Sequence, residues 1–322
     1  MRVVDNSILA ATARCHTYAY VRYAMGLEVR GTGLPLVAGH AVHLGMERWL
    51  TGAKPKAAVV AMAEEYESAV AEYLRTQERD NLSGDEARFE PERVEAIFAQ
   101  HLAQLEERFP FTVVSAQVET PISAPFGSFG GEETVYSARL DAIVRKRDGG
   151  ERWSMDHKTT KKVTDWWKEK QKTSSQWSGQ VWIGKQEGEQ KLAGVVLHVI
   201  ELPEPYTSTK TCKDHGVAYV ECSIRHASYD YIYITRSPAE LEAWELSARK
   251  LAGQYARLEA RAREYGLEAI GTVPMQGRFN DGCTFCDMKE WCRLGRNTSA
   301  RVVKATFRAS PWDPMKQQEV VA

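Results

Sequence analysis

The chain has 322 residues, of which 43% are hydrophobic and 26% charged, and its formal net charge is −1. These proportions describe a globular protein long enough to bury a sizeable core, not a disordered or low-complexity chain. Near-neutral charge excludes nucleic-acid binding driven by bulk charge, so any such role must rest on local basic patches.

In chain order, residues 5–25 are expected to be helical, with Asp5, Asn6 or Ser7 as N-cap and Gly26 as the stop. Helices are also expected over 35–51, 54–80 and 90–108, the last ending at Pro110. The texture then changes to strands at 112–122, 133–145 and 152–159. A helix is predicted over 174–187, a buried strand over 192–201, and a hairpin from 217–224 and 229–235. Pro238 opens a long helix to about Tyr265. Helices, then a hairpin-rich sheet, then helices give an α/β sandwich with a mixed sheet. With no repeat and no long Gly/Ser/Pro linker, residues 1–297 form one expected domain: a helical region 1–110, a sheet core 111–236 and a C-terminal part 237–297. Residues 298–322 form a basic tail, either an arm for DNA or a partner or a disordered end. No apolar run approaches the roughly 20 residues of a membrane helix and no signal-peptide pattern opens the sequence, so the expected location is cytoplasmic.

The most informative stretch runs from Asp141 to Lys158. Two short apolar runs joined by Asp148-Gly149-Gly150 read as a β-hairpin. Period-2 alternation puts Asp156 and Lys158 on one strand face, and pairing brings Asp141 beside them. Two carboxylates suit a hard cation such as Mg²⁺ or Mn²⁺, and the ammonium can hold a water or a developing phosphate charge. Upstream, His43 and Glu47 share a helix face, and Gly39 permits close packing at that helix's start. Glu119 precedes the hairpin on another strand and could reach the same sheet end. Downstream, Gln176 and Gln180 lie one helical turn apart, able to line a nucleic-acid backbone. Ten Lys/Arg stand against five Asp/Glu from Arg145 to Lys172, and six against one from Lys289 to Arg308. Within the first patch, Trp166 and Trp167 sit among Lys161, Lys162, Lys168, Lys170 and Lys172, where indoles can stack on unpaired bases.

Of six cysteines, Cys283, Cys286 and Cys292 cluster near the C-terminus and Cys15 lies in the first predicted helix. In a cytosolic chain such thiols point to metal rather than disulfides. The spacing fits a zinc site poorly, whereas four thiolates can hold a [4Fe–4S] cluster that ties residue 15 to the last helical segment. Cys212 and Cys222 read as ordinary small residues.

Taken in order, Cys15, Gly39-x3-His43, Glu119, Asp141, Asp156-x-Lys158, Gln176, Cys283, Cys286 and Cys292 resemble the RecB-like branch of the PD-(D/E)XK nuclease superfamily. Its members include iron–sulfur-stapled exonucleases of CRISPR adaptation, nuclease domains of AddB-type helicase–nucleases and phage-encoded stand-alone enzymes. The resemblance implies a restriction-endonuclease-like core, a central mixed sheet flanked by helices, with a helical N-terminal region and a C-terminal iron–sulfur staple. It implies that His43, Asp141 and Asp156 bind the divalent metal with the carbonyl of His157, that Lys158 positions the attacking water, and that Gln176 contacts DNA. The expected activity is exonucleolytic hydrolysis of DNA at ends or on single strands, in recombination, repair or phage DNA metabolism. CRISPR spacer processing and a non-catalytic iron–sulfur DNA-binding subunit are the alternatives, with a recombination or CRISPR-adaptation protein as partner. The family's last motif is usually Gln-x3-Tyr, and this chain has Gln180 where the Tyr would stand. No Walker motif appears, so no helicase motor is expected.

Overall fold

The computed structural model describes residues 1–30, 33–115, 121–186, 192–203, 211, 229–284 and 286–315. The chain opens with a short strand β1 (Arg2–Val4) and helix α1 (Asn6–Arg14), whose N-cap Asp5 accepts from the Ile8 amide at 2.8 Å. The helix expected over 5–25 is interrupted. Cys15 is extended (φ −163°, ψ 119°), and a short helix α2 (His16–Ala19) and a π-helical turn Tyr20–Ala24 follow. Cys15 is thus a junction between helices. Strand β2 (Leu27–Val29) leads to three helices, α3 (Leu34–Leu50), α4 (Pro55–Thr76) and α5 (Pro91–Arg108), each with Pro in its first turn, where the missing N–H costs nothing.

The strands β3 (Phe111–Ser115), β4 (Pro121–Phe129), β5 (Glu132–Arg139), β6 (Ala142–Lys146) and β7 (Arg152–Thr160) come next. Two helices, α6 (Asp165–Lys172) and α7 (Ser175–Gly184), precede β8 (Leu192–Glu201) and β9 (Tyr229–Ile234). The 28-residue α8 (Pro238–Tyr265) starts with a capping box of Ser237 and Glu240. After it come α9 (Lys289–Arg293), α10 (Ala300–Thr306) and β10 (Phe307–Ala309).

The central sheet has the order β3-β6-β7-β8-β9. Only β7 and β8 are parallel in it, and α6 and α7 supply the crossover that a parallel pair requires. One face packs on α3, α4 and α5 through Val144, Met155, Val196 and Ile200. The other packs on α7 and α8, and on a smaller β1-β5-β4 sheet, through Val195, Leu197 and Val199. A third cluster joins the start of the chain to its C-terminal part, with Tyr20, Met288, Trp291 and Phe307 inside. Among the described residues no helix is long and apolar enough to cross a membrane.

Two sequence expectations are corrected here. The strand predicted over 133–145 is two strands in different sheets, broken at Leu140-Asp141. The backbone leaves the ladder there because the Asp141 carboxylate and the Arg139 carbonyl are bonded to side chains and amides elsewhere. The tail, in turn, is docked as far as Met315: β10 pairs antiparallel with β2, and the Ser310 amide donates to the Gly26 carbonyl at 2.7 Å. Glu119, Cys212, Cys222 and the strand expected at 217–224 lie outside the described residues.

Candidate active site

The hairpin of β6 and β7 forms with the expected polarity, and its last ladder pair at this end is Ala142 with Met155. Asp141 and Asp156 stand one step beyond, so both carboxylates share one end of the ladder. On β7, Asp156 and Lys158 face α7 while Met155 and His157 face α3 to α5. The Lys158 ammonium lies 2.6 Å from Asp156 Oδ1. Asp141 Oδ2 accepts from the His157 amide at 2.8 Å and lies 3.1 Å from His43 Nδ1. Gly39 lies against β7 near the start of the same helix, where a Cβ would sit 3.4 Å from Thr159 Oγ1. The sequence motif Gly39-x3-His43 is therefore a packing contact followed, one turn later, by a side chain aimed at Asp141.

Burial dominates the electrostatics. Asp141 and Asp156 are only 8% and 3% exposed. Burial alone would raise both carboxyl pKa values. For Asp141 the charges of His43, His157 and Lys158, with the His43 hydrogen bond, outweigh it and hold the group below the usual range. For Asp156 burial, aided by the charge of Asp141, outweighs Lys158 and the pKa rises. Against their own burial, His43 and Lys158 are both shifted upward, chiefly by these carboxylates. The site holds two acids shifted in opposite directions, with an ammonium and an imidazole whose hold on a proton those acids strengthen.

A protein-family comparison matches residues 6–293 to the PD-(D/E)XK nuclease superfamily. The chain belongs to that superfamily. The match spans most of the sequence and includes every residue of the carboxylate site. It supports a metal-dependent nuclease with DNA as substrate. A search of curated proteins returned no match.

For a divalent cation, the donor chemistry fits: two buried carboxylates that oppose each other leave negative charge to be matched, and oxygen donors with one imidazole suit Mg²⁺ or Mn²⁺. Lys158 and His43 lie against those oxygens in the present arrangement. Among the described residues no three His, Cys, Asp or Glu side chains are grouped closely enough to hold a metal as they stand. The same is true of the thiols. Cys15, Cys283, Cys286 and Cys292 are all free and half-buried, and together they line one cavity of about 420 Å³. Burial, then the other thiols' charges, pushes Cys292 up to about 11. Four free thiols around one space fit a cluster or a soft metal by donor type.

Side chains from other elements complete the site. Gln180 is 3% exposed and spends its amide inside the protein. Its Nε2 donates to Asp156 Oδ2 and to the Arg139 carbonyl, each at 3.3 Å, and its Oε1 accepts from Ser154. Where the sequence suggested a DNA contact, the geometry gives Gln180 the task of holding Asp156. Trp177, fully buried, lies beneath the ammonium of Lys158 at 5.1 Å. His157 Nδ1 is 2.8 Å from His198 Nδ1, and His101 stacks on His198 with ring centres 4.8 Å apart. The signal for these was a polar residue inside an apolar run, His198 between Leu197 and Val199.

The basic segment is divided. Lys161, Lys162 and Trp166 are exposed, Trp166 to 71%, with the Lys170 ammonium 5.3 Å from its ring. Trp167 packs against the core instead. Gln176 is half-buried at the start of α7, where the Ser174 hydroxyl caps its amide at 3.3 Å.

Proposed function

We propose that the protein is a divalent-metal-dependent DNA exonuclease of the RecB-like type, with a preference for ends or single strands. The convergence of Asp141, Asp156, Lys158 and His43 at one end of the β6-β7 ladder carries this reading. A bound Mg²⁺ or Mn²⁺ would supply Lewis acidity toward a phosphate oxygen and a more acidic water. Asp141, Asp156, His43 and the His157 carbonyl would hold it. Gln180 keeps Asp156 aimed, and the His157 amide keeps Asp141 aimed. Lys158, kept protonated by the two carboxylates, sets a fixed positive charge where an in-line displacement at phosphorus builds negative charge. Glu119 is proposed to add a carboxylate at this site. The exposed Lys161, Lys162 and Trp166, with Gln176, would follow the substrate strand, giving backbone affinity that falls with salt.

The cysteine cavity is proposed to hold a [4Fe–4S] cluster in a structural role, fastening the Cys15 junction to the C-terminal segment. Four free thiols on its walls support this. A cytoplasmic role in DNA recombination or repair is in keeping with that chemistry.

The test is degradation of end-labelled linear and of circular DNA, single- and double-stranded, with Mg²⁺ or Mn²⁺, by anaerobically purified protein. Loss of linear single strands that needs metal and vanishes in Lys158→Ala is expected. Equal cutting of circular DNA would contradict the exonuclease reading, and metal-independent or absent cutting would contradict the nuclease reading.

A further inference from the structure

We propose that the cavity beside Gln176 and Gln180 receives an unpaired nucleobase next to the scissile phosphate, with the indole of Trp312 as one of its walls. The proposal rests on the nuclease reading and extends it to how the substrate strand is seated. The cavity measures about 220 Å³ and is lined by Asn6 and Ser7 at the start of α1, Arg139 at the end of β5, Gln176 and Gln180 on α7, and Trp312. One side chain separates it from the chemistry, since the Gln180 amide that borders it also donates to Asp156 Oδ2 at 3.3 Å. A nucleotide whose phosphate meets Asp156 and Lys158 would have its sugar and base within reach of this space.

The lining chemistry favours a base over a phosphate. It offers amides, a hydroxyl, a guanidinium and an aromatic ring, and the carboxylate of Asp5 stands in the same wall. That carboxylate accepts from the Ile8 amide at 2.8 Å and from Trp312 Nε1 at 3.0 Å. The Arg139 guanidinium is already set against that carboxylate, which leaves no surplus positive charge for a phosphate, whereas a base edge supplies N–H and C=O groups to match the amides and hydroxyl. The volume lies below the roughly 300–1,000 Å³ of drug-sized pockets, so one ring system enters and a duplex does not. Only an unstacked base can use it, and extruding a base costs least from a single or frayed strand.

The aromatic wall is built into the fold by the tail. Trp312 is half-buried, with its ring edge-on to Tyr23 at 5.4 Å and beneath the Arg22 guanidinium at 5.3 Å. Arg139 donates to the Asp313 carbonyl at 3.1 Å, and β10 holds the segment upstream on β2. The C-terminal segment therefore completes the substrate side of the site.

The test measures binding without turnover, in Ca²⁺, by fluorescence anisotropy of labelled single-stranded oligonucleotides. Each oligonucleotide carries one abasic residue, at successive positions from the end. For the wild type, one position should weaken binding roughly 5- to 150-fold, as loss of a single stacked base does. Trp312→Ala should weaken binding of intact DNA by a similar factor and show no further loss at that position, and Trp312→Phe should restore most of it. The proposal is overturned if no position matters in the wild type, or if the abasic and Trp312→Ala losses add. The wild-type abasic series stands even if Trp312→Ala undocks the tail. Cleavage without positional sensitivity would remove the pocket and leave the nuclease; positional coupling without metal-dependent cleavage would do the reverse. Failure to bind single strands would remove the pocket, while metal-dependent cutting at duplex ends would still leave the nuclease.

Discussion

His101 is buried on α5, stacked on His198, and burial followed by the charge of His157 lowers its pKa from 6.5 to about 3. Between these values the unfolded chain takes up the proton and the folded chain does not, so stability is full above pH 6.5 and falls as the solution is acidified toward 3. Protonating such a group in place costs on the order of 5 kcal/mol, a large part of a typical 5–15 kcal/mol folding free energy. His101→Phe keeps the aromatic stack and removes the titration. Its acid-unfolding midpoint, followed by circular dichroism, should move to lower pH; an unchanged or higher midpoint would contradict this assignment. At this scale the sequence showed part of the site. Asp141, Asp156 and Lys158 were legible because strand alternation is a two-residue rule, and His43 because Gly39 marks a close approach. Trp177, Gln180, His101 and His198 act through partners on remote elements, and local spacing holds no information about those. Gln180 was visible as a residue, but its bonds to Asp156 and to the Arg139 carbonyl were not.

Among the elements, α7 has the most exacting seat. It carries Gln176, Trp177 and Gln180, and Gly179 lets it lie against Tyr136 and Trp244. A Cβ at Gly179 would run into the Tyr136 hydroxyl, which is itself buried. Gly179→Ala should therefore destabilise by about 1–3 kcal/mol through overpacking, read as a lower denaturation midpoint. It should also lower cleavage of DNA, because a displaced α7 carries Gln180 away from Asp156. Full activity at unchanged stability would show that α7 seats differently. Helices α3 to α5 were readable from their helical residue pattern, and α8 also from Pro238 at its start. The break at Leu140-Asp141 was not, since residues 133–145 contain no Gly or Pro to mark the point where the chain changes sheets. The break at Cys15 escaped for a similar reason: nothing in residues 5–25 stops a helix before Gly26.

At the scale of the molecule, the start and end of the chain are packed together. Residues of α2, the π-helical turn and the C-terminal helices share one core, and β2 pairs with β10. The cysteines lie at this junction, so a cluster bound there would close a loop from residue 15 to residue 292. Long loops gain most from such a clip. Anaerobically purified protein should be brown and contain iron; Cys292→Ser should lose the colour and melt at a lower temperature. A colourless protein with stoichiometric zinc would contradict the cluster assignment. The general architecture, helices before and after a mixed sheet, was legible in the order of textures along the sequence. The docking of the tail was not, because the strand partner of Phe307–Ala309 lies near the other end of the chain.

The central claim is that Asp141 and Asp156 form one divalent-metal site that hydrolyses phosphodiesters. It is tested most directly by Mn²⁺ binding, followed by electron paramagnetic resonance, to wild type, Asp156→Asn and Asp141→Asn, beside DNA cleavage by the same samples. Both substitutions should lose Mn²⁺ binding and cleavage together while the far-ultraviolet circular dichroism stays native. Retained Mn²⁺ binding or cleavage in either folded variant would contradict the account.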